Sequence, residues 1–412
     1  MFKRVSIFLF VLLGIGVCSF AQEDSLYKNW KHKKNIFTLG FYKQPGLDSM
    51  VDFWDGVYRI FGKRKKEEAV VLKPQLALIP SVEYSLITGL AASINSNIVF
   101  PKQKQNASFI YFDAKQTIKK QTILEMVSNI WFGNDQYNFN SDWSIMKFPQ
   151  KDFGLGGKSS LSLYDELNYS YLKLHQTLSR RIAKDLYMGV GIKYDHHWKI
   201  TDVANINKPI IGFREYGFSN RSVSSGYTMN LLYDTRRNAV HPIAGETYFQ
   251  SSIRSNREWL GSDQPWTSFT LDARKYLSFP NHSSNVLAFW SYNVFTLSGN
   301  PPYLDLPHTA VDPFKNTGRG YIQGRYRGKN ILMQEMEYRF GITENGFLGG
   351  VIYGNIQSVS DFNTNKFSSP IPGYGIGLRV KYNKKSNTSI ALDYAWGQGG
   401  SRGFFMNLGE VF

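Results

Sequence analysis

The 412-residue chain has one cysteine, Cys18, which excludes an intramolecular disulfide and any cysteine-built metal site. It also lacks a run of eighteen apolar residues, and its mean hydropathy is −0.32, so a membrane-spanning helix is excluded. Charged residues make up only 19% of the chain, while 16% are aromatic, a balance that rules out disorder. Histidine is scarce and scattered. His196 and His197 are adjacent, so on a strand they point to opposite faces and cannot chelate together. No His/Asp/Glu spacing suggests a metal site, and no Ser/His pair is singled out for hydrolysis. Gly189-Val190-Gly191 and Gly349-Gly350 lie within strand patterns, where glycine marks bends or close packing rather than a phosphate cradle. No cofactor, metal or catalytic residue is therefore expected, and the chain is not expected to be an enzyme. What is present is a large, aromatic, glycine-rich sequence carrying a net charge of +16, a composition that leans towards all-β.

The first 21 residues read as an export signal. Lys3 and Arg4 form a basic start, Ile7 to Val17 is apolar but too short to span a bilayer, and Ser19-Phe20-Ala21 offers small residues before Gln22. A lipidated alternative would acylate Cys18, which Val17 before it fits poorly. Removing Lys3 and Arg4 lowers the net charge from +16 to +14 and leaves the mature chain without cysteine. An exported chain has little access to nucleic acid, so outer-membrane lipids and lipopolysaccharide are the expected anionic partners.

From residue 71 to 412 the dominant period is two. Leu186, Met188, Val190, Ile192 and Tyr194 alternate with Tyr187, Gly189, Gly191, Lys193 and Asp195. Tyr374, Ile376, Leu378, Val380 and Tyr382 alternate with Gly375, Gly377, Arg379 and Lys381. These runs reach nine residues or more, which suits a strand tilted across an outer membrane better than the short strands of a soluble sandwich. Sixteen such segments are expected, near 74–85, 88–100, 107–117, 120–133, 137–148, 166–179, 185–201, 222–235, 246–258, 265–278, 284–297, 330–342, 346–359, 373–383, 388–397 and 402–412. Long connectors follow odd segments and short turns follow even ones. The expected fold is thus all-β, a 16-stranded antiparallel transmembrane β-barrel with long loops outward, in the outer membrane of a Gram-negative bacterium. Phe412, at the end of the alternating Phe404, Met406, Leu408 series, resembles a C-terminal signal for barrel insertion.

Residues 22–70 differ in kind. Leu47, Met50, Val51, Trp54, Val57, Tyr58 and Phe61 carry helical spacing, so an amphipathic helix is expected near 47–62, followed by the basic run Lys63 to Lys66. It either lies on the inner leaflet or enters the barrel, or else packs across the periplasmic mouth or serves as a linker.

The connector Ser298–Lys329, between the eleventh and twelfth segments, is the longest and ends strongly basic. Parity places Glu335, Glu337 and Arg339 in the lumen on the twelfth segment, and Asp234, Asp272 and Asp393 likewise on others. A basic loop above an acidic wall should fold inward, where ion pairs strengthen. Arg319-Gly320-Tyr321 in this loop resembles the Arg-Gly-Phe/Tyr signature of the BamA/TamA superfamily of outer-membrane assembly and translocation barrels (bacterial surface antigen type). Tyr233-Asp234-Thr235-Arg236 with Pro242 and Gly245 resembles another of its motifs. The resemblance covers about 71–412 and implies a member without POTRA domains. It implies that Arg319 meets a lumen partner on the wall. The family's Phe-x-Asp stands here as Tyr353-Gly354-Asn355, so Glu335, Glu337 and Asn355 are the expected partners.

By the same resemblance, the expected role is to assist insertion, assembly or translocation of proteins or lipids, with client outer-membrane proteins or assembly-complex subunits as partners. The alternatives are a passive porin-like channel and a structural subunit of a larger assembly complex. A weak seam between first and last strands is expected from Pro80, which cannot donate to a ladder, and from Gly403 and Gly409 in the last segment.

Overall fold

The computed structural model describes residues 42–61, 73–85, 89–101, 105–203, 212–217 and 219–412. The expected export signal, residues 22–41 and the Lys63–Lys66 run lie outside them. Among the described residues, seventeen antiparallel strands form one sheet. In chain order they are β1 (Gln75–Ser85), β2 (Gly89–Phe100), β3 (Ser108–Thr117), β4 (Thr122–Phe132), β5 (Tyr137–Lys147) and β6 (Gln150–Asp152). Then come β7 (Asp165–Ala183), β8 (Leu186–Val203), β9 (Arg221–Asp234), β10 (Thr247–Asn256), β11 (Trp266–Ser278) and β12 (Val286–Gly299). The last five are β13 (Asn330–Gly341), β14 (Leu348–Val359), β15 (Ile371–Asn383), β16 (Thr388–Gly397) and β17 (Arg402–Leu408).

Each strand pairs with the next, except that β5 and the three-residue β6 both pair with β7, one after the other along it. Pro149 lies between the two, where it cannot donate to the ladder. The sheet is therefore sixteen positions wide, one for each segment expected from the alternation.

The two faces of the sheet are inverted relative to a soluble protein. On β8, Val190 is 66% exposed, flanked along the same face by exposed Met188 and Ile192. On β13, Met336 is exposed while Glu335 and Glu337 on either side are buried. Exposed aliphatics outside and buried charges inside are the pattern of a sheet whose outer face meets lipid. Aromatic residues cluster towards both ends of the outer face, as with Tyr374 stacked on Trp396 at one end and Tyr338 on Phe340 at the other.

Connections after β6, β8, β12 and β14 are long and share one end of the sheet; the other end carries mostly short turns, the longer 235–246 connection and both described chain ends. Residues 42–51 run along the turn end. Tyr42 exchanges backbone and hydroxyl bonds with Ser283 and Ser284, and Val51 N–H donates to Asn345 at 3.0 Å. Gly341 leaves the space that the Tyr42 ring fills.

Two expectations need correction here. The helix is shorter than 47–62: α1 spans Phe53–Ile60, because Gly46 to Met50 form a turn and Asp52 with Asp55 builds a capping box that starts the helix there. The last strand ends at Leu408 and does not run to Phe412. Gly409 has φ +99°, and a Cβ there would lie 2.5 Å from Val240, so the chain turns inward at a position only glycine can take. Phe412 is consequently not an outward aromatic at a strand end. It is 2% exposed inside the sheet, stacked on Trp290 with ring centroids 5.0 Å apart.

Candidate functional site

The β12–β13 connection, residues 300–329, folds back between the walls. Its Leu304, Leu306 and Tyr303 pack with Ile123, Phe148, Leu167 and Ile200 of the opposite wall, forming a core where an open barrel would hold water. Polar contacts fix it on many sides. Tyr303 Oη donates to Asp152 at 2.6 Å, Ser224 Oγ donates to Asp305 at 2.5 Å, and Lys315 Nζ meets Glu125 at 2.7 Å.

Arg319 is the centre of this anchorage. Its side chain is fully buried, and its guanidinium donates to Glu335 and Glu337 of β13 through Nη2 and to Asp393 of β16 through Nη1 at 2.5 Å. Its face lies 3.5 Å above the Tyr353 ring, so stacking and charge act together. Burial opposes the cation, but Glu335, Glu337 and Asp393 outweigh it and hold the guanidinium well above its ordinary pKa.

Of the expected partners, Glu335 and Glu337 receive the guanidinium. Asn355 plays a different part: its side-chain amide donates to the Arg319 backbone carbonyl at 2.9 Å, fixing the loop rather than the cation. The third charged partner is Asp393. Parity had placed it in the lumen, but nothing in the local sequence says that β16 comes close to a residue 74 positions earlier.

Gly320 adopts φ +104°, and a Cβ there would sit 2.6 Å from the Trp396 carbonyl. That close approach lets Tyr321 reach β15 and β16, where its hydroxyl donates to the Pro372 carbonyl and accepts from Gln398 N–H at 2.7 Å. The inward glycines of the wall serve the same fit. A Cβ on Gly373 would meet the Arg319 carbonyl at 2.7 Å, and one on Gly397 would meet the Tyr321 ring at 2.5 Å. The alternation of glycine along β15 was visible in the sequence; that Gly373 makes room for the loop while Gly375 and Gly377 make room for Tyr353 and Asp393 of the neighbouring strands was not.

The ionic cluster continues towards the turn end. Arg339 Nε lies 2.6 Å from Glu337, and Arg379 bonds Asp393 at 2.6 Å and Glu410 at 2.8 Å. Arg339 also donates to the Phe412 carbonyl at 2.8 Å. Burial raises the Glu410 pKa, but Arg379 and Arg339 overcome it and hold the carboxyl well below the ordinary range. Glu410 lies beyond the end of β17, at Leu408, and faces inward. In the Tyr233–Arg236 motif, Asp234 accepts twice from the Arg236 guanidinium and once from its backbone N–H, and that guanidinium lies 3.9 Å from the Tyr248 ring centroid. The turn that follows meets the C-terminal residues, with Glu410 N–H donating to Val240 at 2.8 Å.

The seam residues lie at the two ends of the sheet. Among the described residues no ladder joins β17 to β1, although their Cα atoms approach within 8 Å. The Leu78 carbonyl accepts from Tyr382 Oη of β15 at 3.3 Å, so it faces away from β2. Backbone direction repeats every second residue, so Pro80 turns its N-side to that same free edge and has no proton to offer there. Gly403 is within β17, whereas Gly409 belongs to the inward turn. A cavity of about 410 Å³ between loop and wall is bordered by Phe404 and Phe405, neighbours on opposite faces of β17, and so reaches the seam.

No family model and no curated protein matches this sequence. Solved structures do. BamA from Haemophilus ducreyi lacking POTRA domains 1–3 matches at TM-score 0.53 and 12% identity, over 82% of this chain and 70% of that one. CdiB from Escherichia coli matches at TM-score 0.50 and 7% identity, over 81% and 67%. The chain shares the fold of these outer-membrane barrels.

Proposed function

We propose that the protein assists insertion, assembly or translocation of proteins or lipids at the outer membrane, through the seam between β17 and β1. The observation that carries this reading is the missing ladder at that seam. An edge with free backbone groups pairs with an added strand at little cost, and β-augmentation supplies main-chain hydrogen bonds whatever the client's side chains. The inward loop supports the same reading, since it is bound to several walls of the lumen where a passive channel needs a clear path. The cavity that borders both faces of β17 gives an emerging segment somewhere to start. Such work uses strand exchange and local disturbance of lipid, with no covalent step and no cofactor. Client outer-membrane proteins are the partners it calls for, with outer-membrane lipids and lipopolysaccharide around it.

The test is to place cysteine pairs across the seam, at Leu76 or Leu78 on one side and Phe404, Met406 or Leu408 on the other, in the otherwise cysteine-free mature chain. The full-length protein is reconstituted in liposomes, and an unfolded eight-stranded outer-membrane barrel is added as probe. Folding of the probe should be faster than in empty liposomes, slowed to the empty-liposome rate by the disulfide, and restored by reductant. Equal acceleration by locked and reduced protein would remove the seam from the mechanism.

A further inference from the structure

A polar group interrupts the apolar outer face on β12 and β13. Trp290 and Tyr292 are buried inside with Phe412, so Ser291 and Asn293, of the opposite parity, point outward. Met333 and Glu335 are buried inside as well, which turns Gln334 outward between them. The β12–β13 ladder runs from Val286 and Arg339 to Phe295 and Asn330 without a bulge, so the parity holds along its whole length. Ser291 and Gln334 are direct neighbours across it. Gln334 lies between Asn330, at the loop end of the ladder, and the stacked rings of Tyr338 and Phe340 at the turn end. Exposed Met336 and Ile356 flank it. The polar group therefore sits well inside the belt that meets lipid.

Its hydrogen bonds say what it can meet. Gln334 Nε2 donates to Ser291 Oγ at 2.8 Å and to Asn293 Oδ1 at 3.4 Å, and Asn293 Nδ2 donates to Ser291 Oγ at 2.8 Å. Asn293 is covered, whereas Gln334 is exposed and Ser291 half-buried. At the exposed side two groups are left over. Among the described residues nothing donates to Gln334 Oε1, and the Ser291 hydroxyl, which accepts twice, has no acceptor for its own proton. Acyl chains can pair with neither, and an unpaired polar group in hydrocarbon is costly. The outward amide of Gln176 on β7 differs, because its oxygen already accepts from Trp143 Nε1 at 3.2 Å.

We propose that the outer face of β12 and β13 is a contact between two copies of this chain, paired about a two-fold axis along the membrane normal. A two-fold contact is self-complementary, so Ser291 of one copy faces Gln334 of the other, and the reverse. One leftover proton and one leftover oxygen on each copy then close two hydrogen bonds that lipid cannot make. Within a bilayer, packing and hydrogen bonds drive association, since apolar burial offers no gain over lipid. The surface allows close approach on both sides of the polar group. Ala273 lies opposite Ser291 on β11, and Gly354 lies opposite Met336 on β14, where an added Cβ would find only the Gly373 carbonyl, at 3.9 Å. Four strands, β14 to β17, separate this face from the free edge, so pairing here leaves the seam clear. The inference rests on the reading of the outer face as lipid-facing, and the experiment separates the two.

The test is energy transfer between copies of the full-length protein labelled with donor or acceptor dye at Asn363→Cys, an exposed position in the β14–β15 connection. The protein is reconstituted in liposomes of phosphatidylethanolamine and phosphatidylglycerol over a range of protein-to-lipid ratios. Transfer should follow a monomer–dimer equilibrium and, at fixed density, rise linearly with the acceptor fraction, as a pair requires. Gln334→Leu removes both symmetry-related bonds and suits lipid, so it should fold like the parent yet pair about ten-fold or more weakly. Ser291→Ala should weaken pairing in the same direction, and Gln176→Leu should leave it unchanged. Equal transfer in the parent and Gln334→Leu at every density would mean that this face is not the contact. A curved dependence on acceptor fraction, or loss of transfer in Gln176→Leu, would indicate open chains joined through unlike faces and overturn the two-fold pair. The lipid-facing reading has its own control, a fluorophore at Ile376→Cys in liposomes carrying nitroxide on the acyl chains. Quenching there without pairing removes the dimer and leaves the barrel standing. No quenching there removes both.

Discussion

Two adjoining parts of one wall are built in opposite ways. Across β13 to β16 every strand is laddered to the next, and three guanidinium groups and four carboxylates hold the loop and the C-terminal residues against the inner face. One strand further, β17 pairs with β16 alone over seven residues and then turns away. The contrast puts rigidity on one side of the seam and freedom at its edge. A buried charge cluster is a poor source of net stability against an apolar core, but it penalises any arrangement that leaves a charge unpaired. Were the seam to open as proposed, this penalty would keep β13 to β16 in place beside it.

The first way to break the comparison is to remove its centre. Arg319→Ala leaves Glu335, Glu337 and Asp393 in a buried site without the cation they share. Breaking a buried ion pair from one side typically costs about 3–5 kcal/mol. We expect a markedly lower unfolding temperature and release of the loop. In planar bilayers the intact protein should show small, fluctuating currents, and the variant larger and steadier ones. Large steady currents from the intact protein, unchanged by the substitution, would mean that the loop does not close the lumen.

A smaller effect is expected from Gly320→Ala. The added Cβ meets the Trp396 carbonyl at 2.6 Å in a left-handed backbone conformation, a strain of about 1–3 kcal/mol. The charges stay paired, so the variant should lose thermal stability without gaining conductance as Arg319→Ala does. An unfolding temperature equal to the parent's would show that the close approach is not required.

Tyr382→Phe sharpens the contrast from the other side. The ring keeps its stack with Phe53, while the hydroxyl's bonds to the Leu78 carbonyl and to the Trp54 side chain are lost, a net change of about 0.5–1.5 kcal/mol each. Amide exchange in Gln75–Ser85 should quicken while peptides from β13 and β14 keep their protection. Equal exchange at β1 in parent and variant would show that Tyr382 does not hold the edge.

How far all this was legible follows from the range of each signal. The sixteen segments could be read because lipid outside and polar lumen inside impose a period of two on every strand, locally and repeatedly. Loop inversion was readable for the same reason: Arg319 and the Glu335/Glu337 pair lie within one connection and one strand. The third carboxylate, Asp393, and the covering of Gly341 by Tyr42 were not, since those partners lie 74 and 299 positions away and no local pattern names them. The C-terminal turn was misread because Phe404, Met406, Leu408 and Phe412 keep the outward parity. Only the positive φ of Gly409 and the fit of Phe412 against Trp290 show that the alternation has stopped carrying meaning there.

The smallest expected effect concerns the loop's other anchor. Asp305 is buried on the side away from Arg319, where it accepts from Ser224 at 2.5 Å and lies 3.7 Å from His197 Nδ1. Burial, reinforced by the nearby Asp195 carboxylate, pushes its pKa up to about 7, while Arg254, Ser224 and Arg327 pull the other way. Folded, the group keeps a proton that the unfolded chain gives up near the ordinary carboxyl pKa of about 4. Unfolding between those values releases a proton, so this contribution to stability is fully present below pH 4, declines as pH rises, and is gone above about 7. Asp305→Asn keeps an acceptor for Ser224 and removes the titration. The unfolding temperature of the parent should therefore fall more between pH 5 and pH 8 than that of the variant, with currents little changed because Arg319 still holds its end. Parallel pH profiles for the two proteins would show that Asp305 is ionised in the fold throughout, and that the loop's two anchors are alike in charge as well as in burial.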